Sequence, residues 1–201
     1  MIRELQQEEP QQADLLLSFA RICEAKPGEE IITQSLKDPQ FYFLLRGQVL
    51  VYAEEDQDIG LEVGIISPGQ IFGAISLIAG SDRTATLIAD PAVGSAILLS
   101  VSFKPFGPLL DFSSLNLLAK LKFYRLVANN TRWRLEMYRT RYRESPLAKR
   151  IREIEIYTGE KDGVAELQSL ERQIIAMTGL MADWNRYLHN QLTLGDDPID
   201  F

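Results

Sequence analysis

The stretch from Phe72 to Ala89, FGAISLIAGSDRTATLIA, constrains this chain most, because it sets a glycine turn, a short helix and a strand around a single arginine. Phe72-Gly73 closes a turn. The backbone N–H groups from Gly73 through Ala74 to Ile75 then open a short helix whose N-terminal end carries partial positive charge. Arg83 adds a full charge beside Thr84, and its planar fork can grip a phosphate or a carboxylate with two hydrogen bonds. The segment therefore predicts a place to hold an anion. An ion pair with Asp82, or with another acid nearby, is the alternative use of the same guanidinium.

The residues around this segment predict strands. From Arg21 to Val101 the chain breaks into short β-branched and aromatic runs punctuated by glycine, proline and acidic turns. FYFLLRGQVLVYAE, Phe41 to Glu54, gives two apolar runs across Arg46-Gly47. LEVGIISPGQIF, Leu61 to Phe72, gives a strand, a turn and a strand start. Gly28, Gly47 and Gly69 stand where the chain must turn sharply. With 201 residues and 46% hydrophobic content, a buried core is affordable.

Beyond Pro108 the period changes. Leu117, Leu121, Tyr124, Ala128, Thr131, Leu135, Tyr138 and Tyr142 recur four and three apart, the spacing of a heptad seam on one long helix. A second stripe, Ala119, Phe123, Leu126, Trp133 and Met137, faces another way and is expected to pack on the strands. The seam needs a cover, either a twin helix in a homodimer or a hairpin with the C-terminal segment of the same chain. Ser145-Pro146 breaks the helix. The expected units are thus 1–111, a β-roll with an N-terminal helix; 112–145, the long helix; and 146–201, a small helical domain. In the last, Glu166 to Leu192 is expected to form two helices about a turn at Gly179.

Three phrases, Pro27-Gly28-Glu29-Glu30-Ile31, Pro68-Gly69-Gln70-Ile71-Phe72-Gly73 and the Arg83 segment, resemble in order and spacing the cyclic-nucleotide-binding domain of the CRP/FNR family of dimeric bacterial transcription regulators. The resemblance implies an α+β chain: a double-stranded β-roll of the jelly-roll kind, a long dimerisation helix that lids the ligand pocket, and a helix-turn-helix that reads DNA. It implies an effector site at Phe72, Gly73, Ala74, Ile75, Arg83 and Thr84. Similarity to the 2-oxoglutarate-responsive members adds Thr131, Arg132 and Glu136 of the long helix. Leu117, Leu121, Tyr124, Ala128, Leu135 and Tyr138 would form the dimer seam. In the cyclic-AMP-binding members the residue after Phe-Gly is a glutamate that accepts from the ribose hydroxyl. Here it is Ala74, so cyclic AMP is disfavoured against another small anion, 2-oxoglutarate-like or a different nucleotide, or against an empty pocket.

The reading head departs further from the family. Ile175 to Leu180 is one residue short before the expected turn, the Ser-Arg-Glu of the family is Met181-Ala182-Asp183, and TLGDDPIDF stands where a wing hairpin would follow. Arg186 is the one basic residue left on that helix. Charge agrees: Arg132 to Arg152 holds eight Lys/Arg against two Glu, whereas Glu153 to Phe201 holds three against ten Asp/Glu. Nucleic-acid affinity rests on Lys/Arg–phosphate contacts, so DNA binding is expected to be weak or absent and a protein partner is the alternative. The basic stretch is read as a solvated helix flank, with a phosphate contact as the alternative.

Counting excludes other chemistries. One cysteine, Cys23, cannot form an internal disulfide, and with no leader-like N-terminus it points to a reducing cytoplasm. Cys23 and His189 alone cannot supply an iron–sulfur or haem site, and no nucleophile–His–carboxylate set can be assembled. No metal, no resident cofactor, no membrane span and no catalysis are expected.

Overall fold

Alternating inward apolar residues, interrupted at glycine turns, fold the first half into strands. The computed structural model describes residues 1–53 and 62–193. Its strands are β1 (Ala20–Ala25), β2 (Glu30–Ile32), β3 (Gln40–Arg46), β4 (Val49–Tyr52), β5 (Glu62–Ile66), β6 (Ile71–Phe72), β7 (Thr86–Ala89) and β8 (Ala96–Ser102). They pair antiparallel in two four-stranded sheets, β1-β8-β3-β6 and β2-β7-β4-β5. The expected α+β roll is present. Glu54 and Leu61, the ends of two expected runs, lie outside the described residues.

Gly47 shows why the break between β3 and β4 falls where it does. Its φ is +89°, and an added Cβ would lie 2.8 Å from Ser95 O and 2.9 Å from Ala96 Cα, so only glycine fits. Tyr42 then pairs with Ser100 of β8 and Phe72 of β6, which brings the Phe72-Gly73 turn onto the end of the roll.

Helices bracket the roll. Two short ones, α1 (Ile2–Glu8) and α2 (Pro10–Ser18), bury Leu5 and Leu16; α3 (Ala74–Ala79) follows the glycine turn. The long α4 (Leu117–Arg141) starts at Asn116, whose Oδ1 accepts from Ala119 N at 2.9 Å. Lys120 is wholly buried and ties the helix to the preceding loop, donating to Pro108 O (2.6 Å), Leu109 O (3.1 Å) and Asp111 O (2.7 Å). Phe123 packs with tilted rings against Phe106 (4.3 Å) and Phe41 (4.8 Å), as expected of the second stripe, whereas Trp133 and Met137 of that stripe are exposed.

The C-terminal half departs from expectation. A short α5 (Leu147–Arg150) follows Pro146, and then α6 runs unbroken from Val164 to Thr193. There is no turn at Gly179 and hence no helix-turn-helix among the described residues. The reason lies in the apolar stripe Leu167, Leu170, Ile174, Met177, Leu180, Met181, Trp184 and Leu188, which keeps its three-and-four spacing straight through Gly179 and is buried along its whole length. Burial of that stripe outweighs the roughly 1 kcal/mol that a mid-helix glycine costs.

The same stripe packs against α4. Leu121, Tyr124, Ala128, Leu135 and Tyr138 are buried within the single chain, and Leu117 is half-buried. Tyr138 and Tyr142 meet Trp184 at 5.6 and 6.1 Å. The seam face is thus largely buried within one chain, α6 meets it at Tyr138 and Tyr142 in the manner of the hairpin alternative, and α6 shares one hydrophobic core with the roll. Of the TLGDDPIDF stretch, all beyond Thr193 lies outside the described residues.

Candidate effector pocket

Gly73 begins the site with φ +77°, the left-handed conformation that lets the chain leave β6 and enter α3 at once. Gly80, also left-handed, ends α3 and releases the chain toward Arg83. Arg83 is 5% exposed and fully committed to the protein at its two terminal nitrogens. Nη1 donates to Gly73 O and, at 3.0 Å, to Ser76 Oγ; Nη2 donates to Asp38 O and Gln40 O, each at 2.6 Å.

The acid that faces Arg83 is Asp38, whose Oδ2 lies 3.5 Å from Nη2, and not the adjacent Asp82. Burial pulls the Arg83 pKa below its ordinary value while Asp38 opposes the shift. Tyr42 donates to the same Asp38 carboxylate at 2.9 Å, and burial followed by that negative charge pushes its phenol upward. Arg83 thus locks the 38–40 segment, the glycine turn and α3 together. It is both the arginine of the anion motif and the ion-pair partner that the sequence left open.

A cavity of about 70 Å³ opens between this turn, the inner face of the roll and α4. Phe72, Gly73, Ala74, Ile75, Arg83, Thr84 and Thr131 line it, as expected. Arg132 and Glu136 do not. Arg132 points to Gln173 of α6 at 3.4 Å, and Glu136 accepts from Arg139 at 2.6 Å. The pocket face of α4 is instead Val127, Asn130, Thr131 and Arg134, residues three and four apart. The two misplaced residues stand one and five positions past Thr131, about 100° and 140° round the 3.6-residue period.

Sequence reasoning expected helices over Glu166 to Leu192 but did not place them at the pocket. Met181 and Asn185 close the cavity from the side opposite the roll. Asn185 Nδ2 donates to Thr84 O at 3.1 Å, and Thr178 Oγ1, which donates to Ile174 O, comes within 3.4 Å of Ile75 O. The unbroken stripe through Gly179 was the signal that could have found this contact. Ligand pockets commonly measure roughly 300–1,000 Å³, so this cavity, closed on one side by α6, is small for an effector of nucleotide size.

Arg186, expected to face DNA, stands mid-helix on α6, its guanidinium 3.9 Å from Asp183. Asp183 also accepts from Arg150 at 2.5 Å. His189 is half-buried on the same helix, and Cys23 is partly buried on β1. Among the described residues no cluster of His, Cys, Asp or Glu could hold a metal ion, and no helix is long and apolar enough to cross a membrane.

Residues 22–106 match the family model of the cyclic nucleotide-binding domain, so such a domain is present in the chain. The cAMP-dependent protein kinase regulatory subunit of Mucor circinelloides f. lusitanicus is 30% identical over 90 residues, which is 44% of this chain and 21% of that protein. Among solved structures, the regulatory domain of Toxoplasma gondii PKA with cAMP is similar at 21% identity and a TM-score of 0.44, covering 52% of this chain and 40% of that one. A cyclic nucleotide-binding-like protein from Brucella abortus is similar at 24% identity and a TM-score of 0.43, covering 51% of this chain and 90% of that one. The matched stretch ends before α4, so α6 and its seat on the pocket lie outside it.

Proposed function

We propose that this chain is a non-enzymatic cytoplasmic sensor whose roll pocket takes a small anionic effector and whose output is the release of α6. The observation that carries this is the closure of the pocket by Met181 and Asn185 against a cavity of only about 70 Å³. An effector of nucleotide size enters only if those side chains leave. A ligand shifts such an equilibrium by its differential affinity for the two states and no more. The anion would draw on the backbone N–H groups of Ala74 and Ile75 and on Arg83, after exchange of carbonyl partners for anionic oxygens.

Cyclic AMP, named with relatives of the matched domain, is the first probe. Ala74 offers no side-chain acceptor to the ribose hydroxyl that cyclic AMP and cyclic GMP share, which favours an anion without a ribose, a dicarboxylate such as 2-oxoglutarate. Transcription regulation by direct DNA reading is the less favoured function: α6 is continuous, carries Arg186 as its one basic residue past Arg172, and lies in an acidic segment. Released α6 would present its apolar stripe to a protein partner instead.

Calorimetric titration of the full chain with cyclic AMP, cyclic GMP and 2-oxoglutarate, followed by amide exchange with and without the ligand that binds, tests the proposal. The expected result is saturable binding of one of them with faster exchange across residues 174–188. Binding with unchanged exchange there would remove α6 release, and binding of none would remove the sensor. Nanomolar retention of an operator DNA at physiological salt would restore the regulator.

A further inference from the structure

The basic stretch from Arg132 to Arg152 ends in a corner that the roll pocket does not use. α4 stops at Arg141, Ser145 and Pro146 turn the chain, and α5 passes into a single 3₁₀ turn, Ile151–Glu153. The corner is firmly held. Ser145 is buried; its N–H donates to Tyr142 O (3.1 Å), its carbonyl accepts from Ala148 N (3.0 Å) and its hydroxyl accepts from Leu147 N (3.3 Å). Ala148 and Ile151 are buried beneath it, and Arg150 reaches Asp183 of α6 at 2.5 Å.

A cavity of about 430 Å³ sits in this corner, within the roughly 300–1,000 Å³ typical of small-ligand sites. Arg139, Thr140 and Arg143 line it from the end of α4, and Ala148, Lys149 and Arg152 from α5 and the turn after it. None of the six lines the roll pocket. Four are cations, and none is an acid.

Counter-charge is scarce. Arg139 donates its Nε to Glu136, whereas Arg143 donates its Nε to the Thr140 carbonyl at 3.2 Å, which leaves its terminal nitrogens for another partner. Arg143, Lys149 and Arg152 are exposed and make no ion pair among the described residues. Arg139 and Arg143 are four apart and Lys149 and Arg152 three apart, spacings at which like charges on a helical face repel. In a chain of net charge −7, a cluster of cations left unneutralised on a rigid corner marks a place for an anion from outside.

The lining selects the anion. No aromatic ring among these residues can stack a base and Ala148 is the one apolar side chain, so recognition rests on charge density and on guanidinium forks, which suit phosphate oxygens. A peptide brings one charge per acidic side chain and would have to gather several into one cavity. A linear di- or triphosphate concentrates three or more in a single compact body. DNA is the poorer match, because α6, fastened beside the corner through Arg150 and Asp183, lies in an acidic segment that repels a duplex.

We propose that the corner between α4 and α5 is a binding site for an oligophosphate, a linear di- or triphosphate group held by Arg139, Arg143, Lys149 and Arg152. It stands whether or not an effector enters the roll pocket.

Calorimetric titration of the full chain with inorganic tripolyphosphate at physiological salt, where isolated surface charges are screened, tests this. Arg143→Gln/Arg152→Gln removes two charges from the cavity, and Arg21→Gln/Lys104→Gln removes two exposed charges elsewhere. The expected result is one tripolyphosphate per wild-type chain, with affinity at least tenfold lower in the first variant and unchanged in the second, both keeping the wild-type circular dichroism. If the first variant fails to fold, Lys149→Gln replaces it, with at least a threefold loss expected. Adenosine triphosphate distinguishes the sources of the same chemistry: equal affinity with the same loss in the cavity variant supports a nucleotide-borne chain, and tripolyphosphate binding without it supports a free one. No binding of tripolyphosphate to the wild type, equal loss in both double variants, or retention of duplex DNA through these residues in place of tripolyphosphate overturns the proposal.

Discussion

Asn185 and Thr84, 101 residues apart in sequence, are joined by a hydrogen bond of 3.1 Å from the Asn185 amide to the Thr84 carbonyl. It fastens the last helix to the segment that carries Arg83, at the mouth of the roll pocket. Met181 is buried one helical turn earlier, so polar and apolar contacts hold the same point.

Asn185→Ala should loosen that point without unfolding the roll. A neutral hydrogen bond contributes about 0.5–1.5 kcal/mol net, and the change also removes the unpartnered Oδ1, so the loss belongs at the lower end. Amide exchange across residues 174–188 should accelerate several-fold while β3 and β8 exchange as in the wild type. Equal acceleration in the roll would mean that α6 and the roll open only together.

Gly73→Ala should destabilise the anion motif itself. An added Cβ would lie 2.9 Å from Ile32 Cδ1 and 3.2 Å from Arg83 Nη1. The isoleucine methyl is the end of a side chain and can give way, so the backbone at φ +77° dominates, at about 1–2 kcal/mol. Urea unfolding should show that loss. A variant as stable as the wild type would show that the turn relaxes freely into another conformation.

Arg125 and Glu166 predict an acid-side dependence of stability. Arg125 donates to Glu166 at 2.7 and 2.6 Å, and Glu166 also accepts from Asp162 N at 2.7 Å. The hydrogen bonds from Arg125, first among the causes, hold the Glu166 pKa below its ordinary value. The unfolded state then binds the proton more readily, so the stabilisation is complete above the unfolded pKa, about 4.3, and is lost as pH falls through the lower folded value. With Arg125 partly exposed, Glu166→Gln should cost about 1–2 kcal/mol at neutral pH. The gap between wild type and variant should close as urea midpoints are followed down through pH 4. A gap independent of pH would assign the cost to packing.

Gly179→Ala is expected to stabilise the chain. Gly179 sits inside α6 with open space around an added Cβ, so nothing opposes the roughly 0.8–1.0 kcal/mol that alanine gains over glycine within a helix. The melting temperature should rise. A fall would mean that this position needs the freedom of glycine, as a turn would.

These residues also mark what could be read in advance. The β3–β4 break at Gly47 and the Phe72-Gly73 turn were legible because local sterics dictate them. Arg83 could be recognised as a cation with an anion or an acid to hold, but its partners Asp38 and Gln40 lie more than 40 residues away and no local pattern points to them. The α4 seam was legible as a buried face, yet a spacing of three and four states only that a face is covered and not by whom. Gly179 reads locally as a turn, yet an apolar stripe crosses the glycine in phase, and the stripe, with several buried side chains behind it, decides the structure.

Leu135 separates the two covers that the seam allowed. It is completely buried within one chain, beside Tyr138 and its contact with Trp184. If α6 is the cover, Leu135→Ala should cost about 2–5 kcal/mol of unfolding free energy, a large part of the 5–15 kcal/mol or so typical of a domain. The wild-type melting temperature should then be unchanged on tenfold dilution, since no association contributes to it. If a second chain is the cover, dilution should lower the melting temperature and Leu135→Ala should yield folded monomers of near-normal intrinsic stability. Sedimentation of the variant together with the dilution series would show which of these holds, and a concentration-dependent melt would return the seam to a partner chain.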